Sequence, residues 1–263
     1  MVIEKEKENK CEEGENNNMF DFGNMFNGMF KPVAKGYCKM GMNGQVAVKT
    51  AQKLNEIMTS LYADSNLPDV EFCVMGIGDL ACDSAPIQMS QFESDIRIAE
   101  QMDAIYFEGG GGGNSYESYT AAWYMGARHC DLDCWKRGQK GIIITLGDEL
   151  PNPYLPKTLS YVTGDSLQDG VETKDLMNEV VDKFNIYHLS VNDKSSCYRY
   201  NNRNSELDKA WGQLLGENYS VVTLDNLAET ITNIVKSNVN NFTPMITVAE
   251  PSATTNDNGE VVW

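Results

Sequence analysis

Three segments of this chain set oxygen-bearing side chains beside glycines. They are Gly76-Ile77-Gly78-Asp79, the run Gly109 to Gly113 followed by Asn114-Ser115-Tyr116-Glu117, and Thr145-Leu146-Gly147-Asp148-Glu149. Carboxylates, amides and hydroxyls are hard oxygen donors. They suit Mg²⁺, which takes one or two carboxylates with hydroxyls and waters, and carboxylates also accept charge-assisted hydrogen bonds from a cationic partner. Asp148 is the leading acidic candidate, and Asn114 and Ser115 are the oxygen donors on a neighbouring loop. An aspartate just after a strand is also a common turn or helix cap, so the sequence leaves both roles open.

Five consecutive glycines are entropically costly to order. The loop therefore needs backbone freedom or close approach, or it is a flexible connector with no further role. A helix opening after Gly112-Gly113-Asn114-Ser115 would offer free N–H groups to an anion. The nucleotide motifs do not fit: G-x-G-x-x-G needs glycine where Asn114 stands, and no Gly-Lys-Ser/Thr follows. Hydrolytic chemistry has few parts to use, because the chain has two histidines and neither neighbours a G-x-S-x-G elbow. His129, Cys130 and Cys134 supply three candidate zinc ligands where a structural site wants four, and the two cysteines read as buried or half-buried thiols beside a helix end. His188, in the middle of a strand pattern, reads as a core histidine.

The elements that must position these loops alternate between strand and helix. Gln45–Val48 reads as a strand and Leu54, Ile57, Met58, Leu61 and Tyr62 as one helical face. Val70–Ile77 reads as a buried strand and Ala85–Met89 as an edge strand. Ser90 and Glu93 have capping-box spacing. A helix is expected from about Ser115 to Cys130, with Tyr116, Tyr119 and Trp123 as its apolar stripe and Tyr124 off it. Ile142-Ile143-Ile144 is a continuous β-branched run of the kind parallel sheets bury. Then come a helix over 172–184, a strand over 186–191, a helix over 205–215, a strand over 219–224 and a helix capped by Asp225. Strands separated by helices predict an α/β, doubly wound, mostly parallel sheet.

Residues 1–18 are charged and Asn-rich and read as a disordered acidic tail. Residues 19–44 read as a Phe/Met-rich segment and hairpin, 45–238 as the α/β domain, and 239–263 as a disordered tail rich in Thr, Asn, Pro and Ser. A formal charge of −17 over 263 residues disfavours nucleic acid, which needs clustered Lys and Arg, and anionic membrane surfaces. No window resembles a membrane span or a secretion signal. The seven cysteines show no repeating spacing, which suits reduced thiols and a cytoplasmic setting.

Phe72-Cys73-Val74-Met75-Gly76-Ile77-Gly78-Asp79, the Gly109–Gly113 run with Asn114 and Glu117-Ser118, and Ile142-Ile143-Ile144-Thr145-Leu146-Gly147-Asp148 follow one another in this order. Together they resemble von Willebrand factor A (VWA) domains of bacterial or phage type over about residues 45–237. The resemblance implies a Rossmann-like sheet with helices on both faces and one antiparallel edge strand. It also implies a metal-ion-dependent adhesion site (MIDAS) at the sheet's carboxyl edge. Such a site draws on Asp-x-Ser-x-Ser after the first strand, a Thr or Asp after a glycine run, and an Asp after the fourth strand. Asn114 matches the second element imperfectly and Asp148 matches the third. The first is missing, because Lys49-Thr50-Ala51-Gln52 follows the strand.

The implied MIDAS is therefore degenerate. Any Mg²⁺ at Asp148, Asn114 and Ser115 is expected to be weak, and the Lys49 ammonium is expected to stand in for part of its charge. A second possibility pairs Gln45–Lys49 with Tyr37–Met42 in a separate hairpin. The function implied is an intracellular protein-interaction module, not an enzyme, acting as an adaptor or accessory subunit, for example beside an AAA+ ATPase. Its docking face would comprise Asp79, Gly112, Gly113, Asn114, Ser115, Glu117, Asp148 and Glu149. Two alternatives remain at this stage. One is an enzyme handling a phosphate or small anion at Gly109–Asn114; the other is a phage or mobile-element structural component docking through Met19–Phe30.

Overall fold

The β-branched run at 142–144 lies within strand β4 (Gly141–Gly147), which pairs in parallel with β8 (Phe184–Val191). β8 pairs in parallel with β9 (Tyr219–Val222), giving the sheet order β4-β8-β9. This is a computed structural model, and it describes residues 53–54, 56–61, 63–64, 70–95, 97–106, 116–192, 204–240, 254–255 and 261–262. The remaining elements are β1 (Met75–Ile77), β2 (Ile87–Met89), α1 (Arg97–Asp103), β3 (Tyr116–Glu117), α2 (Thr120–His129), α3 (Asp133–Lys136), β5 (Leu150–Pro151), β6 (Tyr154–Leu155), α4 (Leu159–Thr163), β7 (Val171–Glu172), α5 (Thr173–Val180), α6 (Asn204–Leu215), α7 (Leu227–Asn240), β10 (Thr254–Thr255) and β11 (Val261–Val262).

Side chains alternate across a strand, and β4 and β8 use both faces. Ile143, Phe184 and Ile186 join the cluster built by Trp123 and Tyr124 of α2, Leu176 and Val180 of α5, and Leu207 and Trp211 of α6. Ile142, Ile144, Leu146, Leu189 and Val191 join the other cluster, with Ile57 and Leu61 of the helical stretch 56–61 and Leu227, Ile231 and Val235 of α7. The protein is thus mixed α/β, with a parallel sheet covered by helices on both faces. β1 and β2 form a separate antiparallel pair, and β3 pairs in parallel with β5.

Several elements differ from the sequence expectation for local reasons. The strand expected at 70–77 is regular only over 75–77, because the Val74 N–H donates to Ser90 Oγ (2.8 Å) and Phe72 makes an isolated bridge to Glu93. That use of Ser90 removes it from a capping box. The helix expected from Ser115 begins at Thr120, since Tyr116 and Glu117 are drawn into pairing with Leu150 and Pro151. Tyr124, off the expected stripe, is nevertheless fully buried, because α2 packs on both the sheet and α5. The 239–263 segment contains the antiparallel pair β10 and β11, with β-branched residues on either side of Asn258-Gly259. Residues 1–18 and 19–44, and with them the proposed tail, hairpin and Phe/Met segment, lie outside the described residues.

Candidate functional site

Ser118, fully buried between β3 and α2, ties three loops together. Its Oγ accepts the Leu80 N–H (3.0 Å) and the Asn152 Nδ2–H (2.9 Å), and donates to Asp79 Oδ1 (3.5 Å). The loop after β1, the start of α2 and the segment after β5 therefore meet at one hydroxyl. Asp79 also closes its own turn: its N–H donates to Asp83 Oδ2 (2.7 Å), and its Oδ1 accepts the Ala81 N–H (3.0 Å).

The loop after β4 is held from below by aromatic rings. Trp211 Nε1–H donates to the Glu149 carbonyl (3.0 Å), and the Glu149 N–H reaches the Tyr119 hydroxyl (3.4 Å). The Tyr119 phenol packs so closely on Gly147 that a Cβ there would overlap the hydroxyl, which explains glycine before Asp148. His188 stacks on Trp211 with ring centroids 3.6 Å apart and lies edge-on to Tyr119. Its Nδ1 shares a 2.8 Å hydrogen bond with Thr145 Oγ1.

Above this floor the carboxylates repel one another. Glu117 is pushed up to about 9, first by burial and then by the charges of Glu149, Asp83, Asp79 and Asp148. Its Oε2 is shut off from solvent and has no hydrogen-bond partner among the described residues. The Tyr119 phenol is likewise raised by burial and then by Asp148, Glu117 and Glu149. The geometry joins the loops that carry these acids: Ser118, next to Glu117, bonds to the Leu80 N–H and Asp79, Tyr116 pairs with Leu150, and the Tyr119 hydroxyl meets the Glu149 N–H, so Asp79, Glu117 and Asp148-Glu149 lie along one rim. In a low-dielectric setting such a group holds protons, or it takes up a cation.

Of the residues expected to form the docking face, Asp79, Glu117, Asp148 and Glu149 come together. Gly112, Gly113, Asn114, Ser115 and the charge substitute Lys49 lie outside the described residues. Asp79, Asp148 and Glu149 are buried and Asp83 and Glu117 half-buried, whereas Ala81, Cys82 and Ser84 of the same loop and Tyr116 are exposed, as is Tyr154 two residues beyond Asn152. Among the described residues no three His, Cys, Asp or Glu side chains are grouped as a ligand set. Cys130 and Cys134 are free thiols, and His129 faces Asp165. Sequence reasoning missed Asp83, Ser118 and Trp211 as parts of the site. The Asp79–Asp83 spacing was the one local signal, matching a side chain that closes a turn.

No family model matches the chain, and no curated protein matches it. Among solved structures, the pilus adhesin SpaC from Lactobacillus rhamnosus GG, in an open conformation, aligns with a TM-score of 0.48 at 11% identity. The alignment covers 75% of this chain, which spans 28% of the length of that adhesin. Among the described residues, no helix is long and apolar enough to cross a membrane.

Proposed function

We propose that the chain is a protein-interaction module with a doubly wound, VWA-type fold and a degenerate adhesion site, acting in the cytoplasm as an adaptor or accessory subunit and not as an enzyme. The observation that carries this reading is the convergence of Asp79, Glu117, Asp148 and Glu149, from three loops, on one rim. Carboxylates forced together in a buried site are stabilised by an incoming positive charge. Glu117 offers a shielded oxygen without a hydrogen-bond partner among the described residues, and its neighbour Tyr116 is exposed. Exposed tyrosines beside a desolvated acidic group suit an interface anchor. The partner is therefore a protein that presents a Lys or Arg to the rim while packing on Tyr116 and Tyr154; an AAA+ ATPase is one such candidate.

The test is a quantitative pull-down with wild type and Asp148→Ala, both shown by circular dichroism to be folded. Loss of one co-purifying protein in the variant, regained at low salt, supports docking through the rim. Identical partners for both proteins would remove the rim from the interface. A nucleotide or phosphate that raises the melting temperature of wild type alone would favour the rival reading, an anion-handling enzyme at Gly109–Asn114.

A further inference from the structure

The start of α2 buries two polar atoms that the acidic rim does not use. Thr120 and Trp123 are both fully buried. Thr120 Oγ1 and Trp123 Nε1 are shut off from solvent, and neither has a hydrogen-bond partner among the described residues. The two residues stand three positions apart in one helix. That spacing sets them on the same face, with Cβ atoms about 5–6 Å apart. Large side chains in a helix lean back toward its N-terminus, over the residues three and four positions before them. The Trp123 indole is thereby carried toward the Thr120 hydroxyl.

Neighbouring buried donors show what Trp123 lacks. Trp135 and Trp211 belong to the same core cluster, and each gives its indole N–H to a carbonyl at 3.0 Å, that of Lys183 and that of Glu149. Ser118, two residues before Thr120, accepts the Leu80 N–H and the Asn152 amide. The Tyr124 hydroxyl, one residue beyond Trp123, donates to Asp165. A buried indole ordinarily finds such a partner, and a buried polar atom left without one forfeits its hydration. Two such atoms on one helix face call for a shared partner.

The chemistry of that partner follows from the two groups. An indole N–H only donates, so it must be met by an acceptor, whereas a threonine hydroxyl both donates and accepts. An anion would carry an unpaired charge into the core beside the buried acids of the rim. A small neutral molecule that accepts on one side and donates on the other fits. Water is the smallest that does so, and internal waters characteristically join otherwise unsatisfied buried groups.

We propose that Thr120 and Trp123 form an internal hydration site, in which one water accepts the Trp123 indole N–H and donates to Thr120 Oγ1. The water anchors the first turn of α2, two residues beyond the Ser118 hydroxyl at which the loops of the rim meet.

A crystal structure of the full chain tests this. The expected result is one ordered water within about 3.2 Å of both Nε1 and Oγ1. An indole packed against carbon with no such water, or bonded directly to Thr120, would overturn the proposal. In solution, Thr120→Val keeps the shape of the side chain and removes the hydroxyl. A buried water needs at least about two polar partners, so magnetic relaxation dispersion of the water oxygen should count one long-lived water fewer in this variant than in wild type. Equal counts in the two proteins, both shown by circular dichroism to be folded, would also overturn it. Neither result bears on partner docking at the acidic rim.

Discussion

The two ends of α2 use the same side-chain types to opposite effect. At its start, Glu117 is driven up to about 9 by burial and by four neighbouring carboxylates. Beyond its last turn, Glu179 is held below its usual range by Arg128, and Asp165 by Tyr124 and His129. The second arrangement is that of an ordinary stabilising surface, with each anion met by a donor. The first keeps like charges together out of water, which opposes folding unless protons or a cation relieve it. Sites that retain such an arrangement are candidates for function, because packing alone would favour its removal.

The largest expected effect comes from removing the floor of the rim. Trp211→Ala deletes a fully buried indole and the donor to Glu149, and should cost about 3–5 kcal/mol in chemical denaturation. Gly147→Ala forces a methyl onto the Tyr119 phenol and should cost about 1–3 kcal/mol. A value near zero would mean that the loop after β4 is not pinned as described.

Glu117→Gln probes the repulsion itself. Between the ordinary glutamate value of ~4.3 and about 9, the unfolded chain is ionised and the folded protein protonated. Stability conferred by the protonated group therefore falls as pH rises through that window, and the loss is complete above it. The glutamine variant, neutral throughout, should be more stable than wild type by roughly 1–2 kcal/mol at about pH 8, a figure reduced for partial exposure. The difference should vanish near pH 4. The smallest effect belongs to the opposite end: a double-mutant cycle on Arg128 and Glu179 should return about 0.5 kcal/mol, and a value of several kcal/mol would erase the contrast between the two ends.

Much of the frame was legible in the sequence because it rests on local pattern. The Ile142–Ile144 run lies in a parallel strand, Leu176 and Val180 lie inside α5, and Asp148 follows a strand beside the loop of Asp79. What was not legible depends on distant pairing. Trp211 reaches Glu149 across 62 positions, and Ser118 reaches Leu80 across 38. No spacing rule joins such residues. Tyr116 fits a helical stripe with Tyr119 and Trp123 by period, yet the pairing of Tyr116 and Glu117 with Leu150 and Pro151 overrode that local preference. The glycine run and Lys49 lie outside the described residues.

The most direct test is a carbon-detected NMR titration of the Glu117 carboxyl in wild type and in Asp148→Asn. If loops far apart in the chain press their acids into one enclosure, Glu117 will titrate near 9 in wild type and lower when the Asp148 charge is removed. Titration at ~4.3 in both proteins would show that these carboxylates do not share a site.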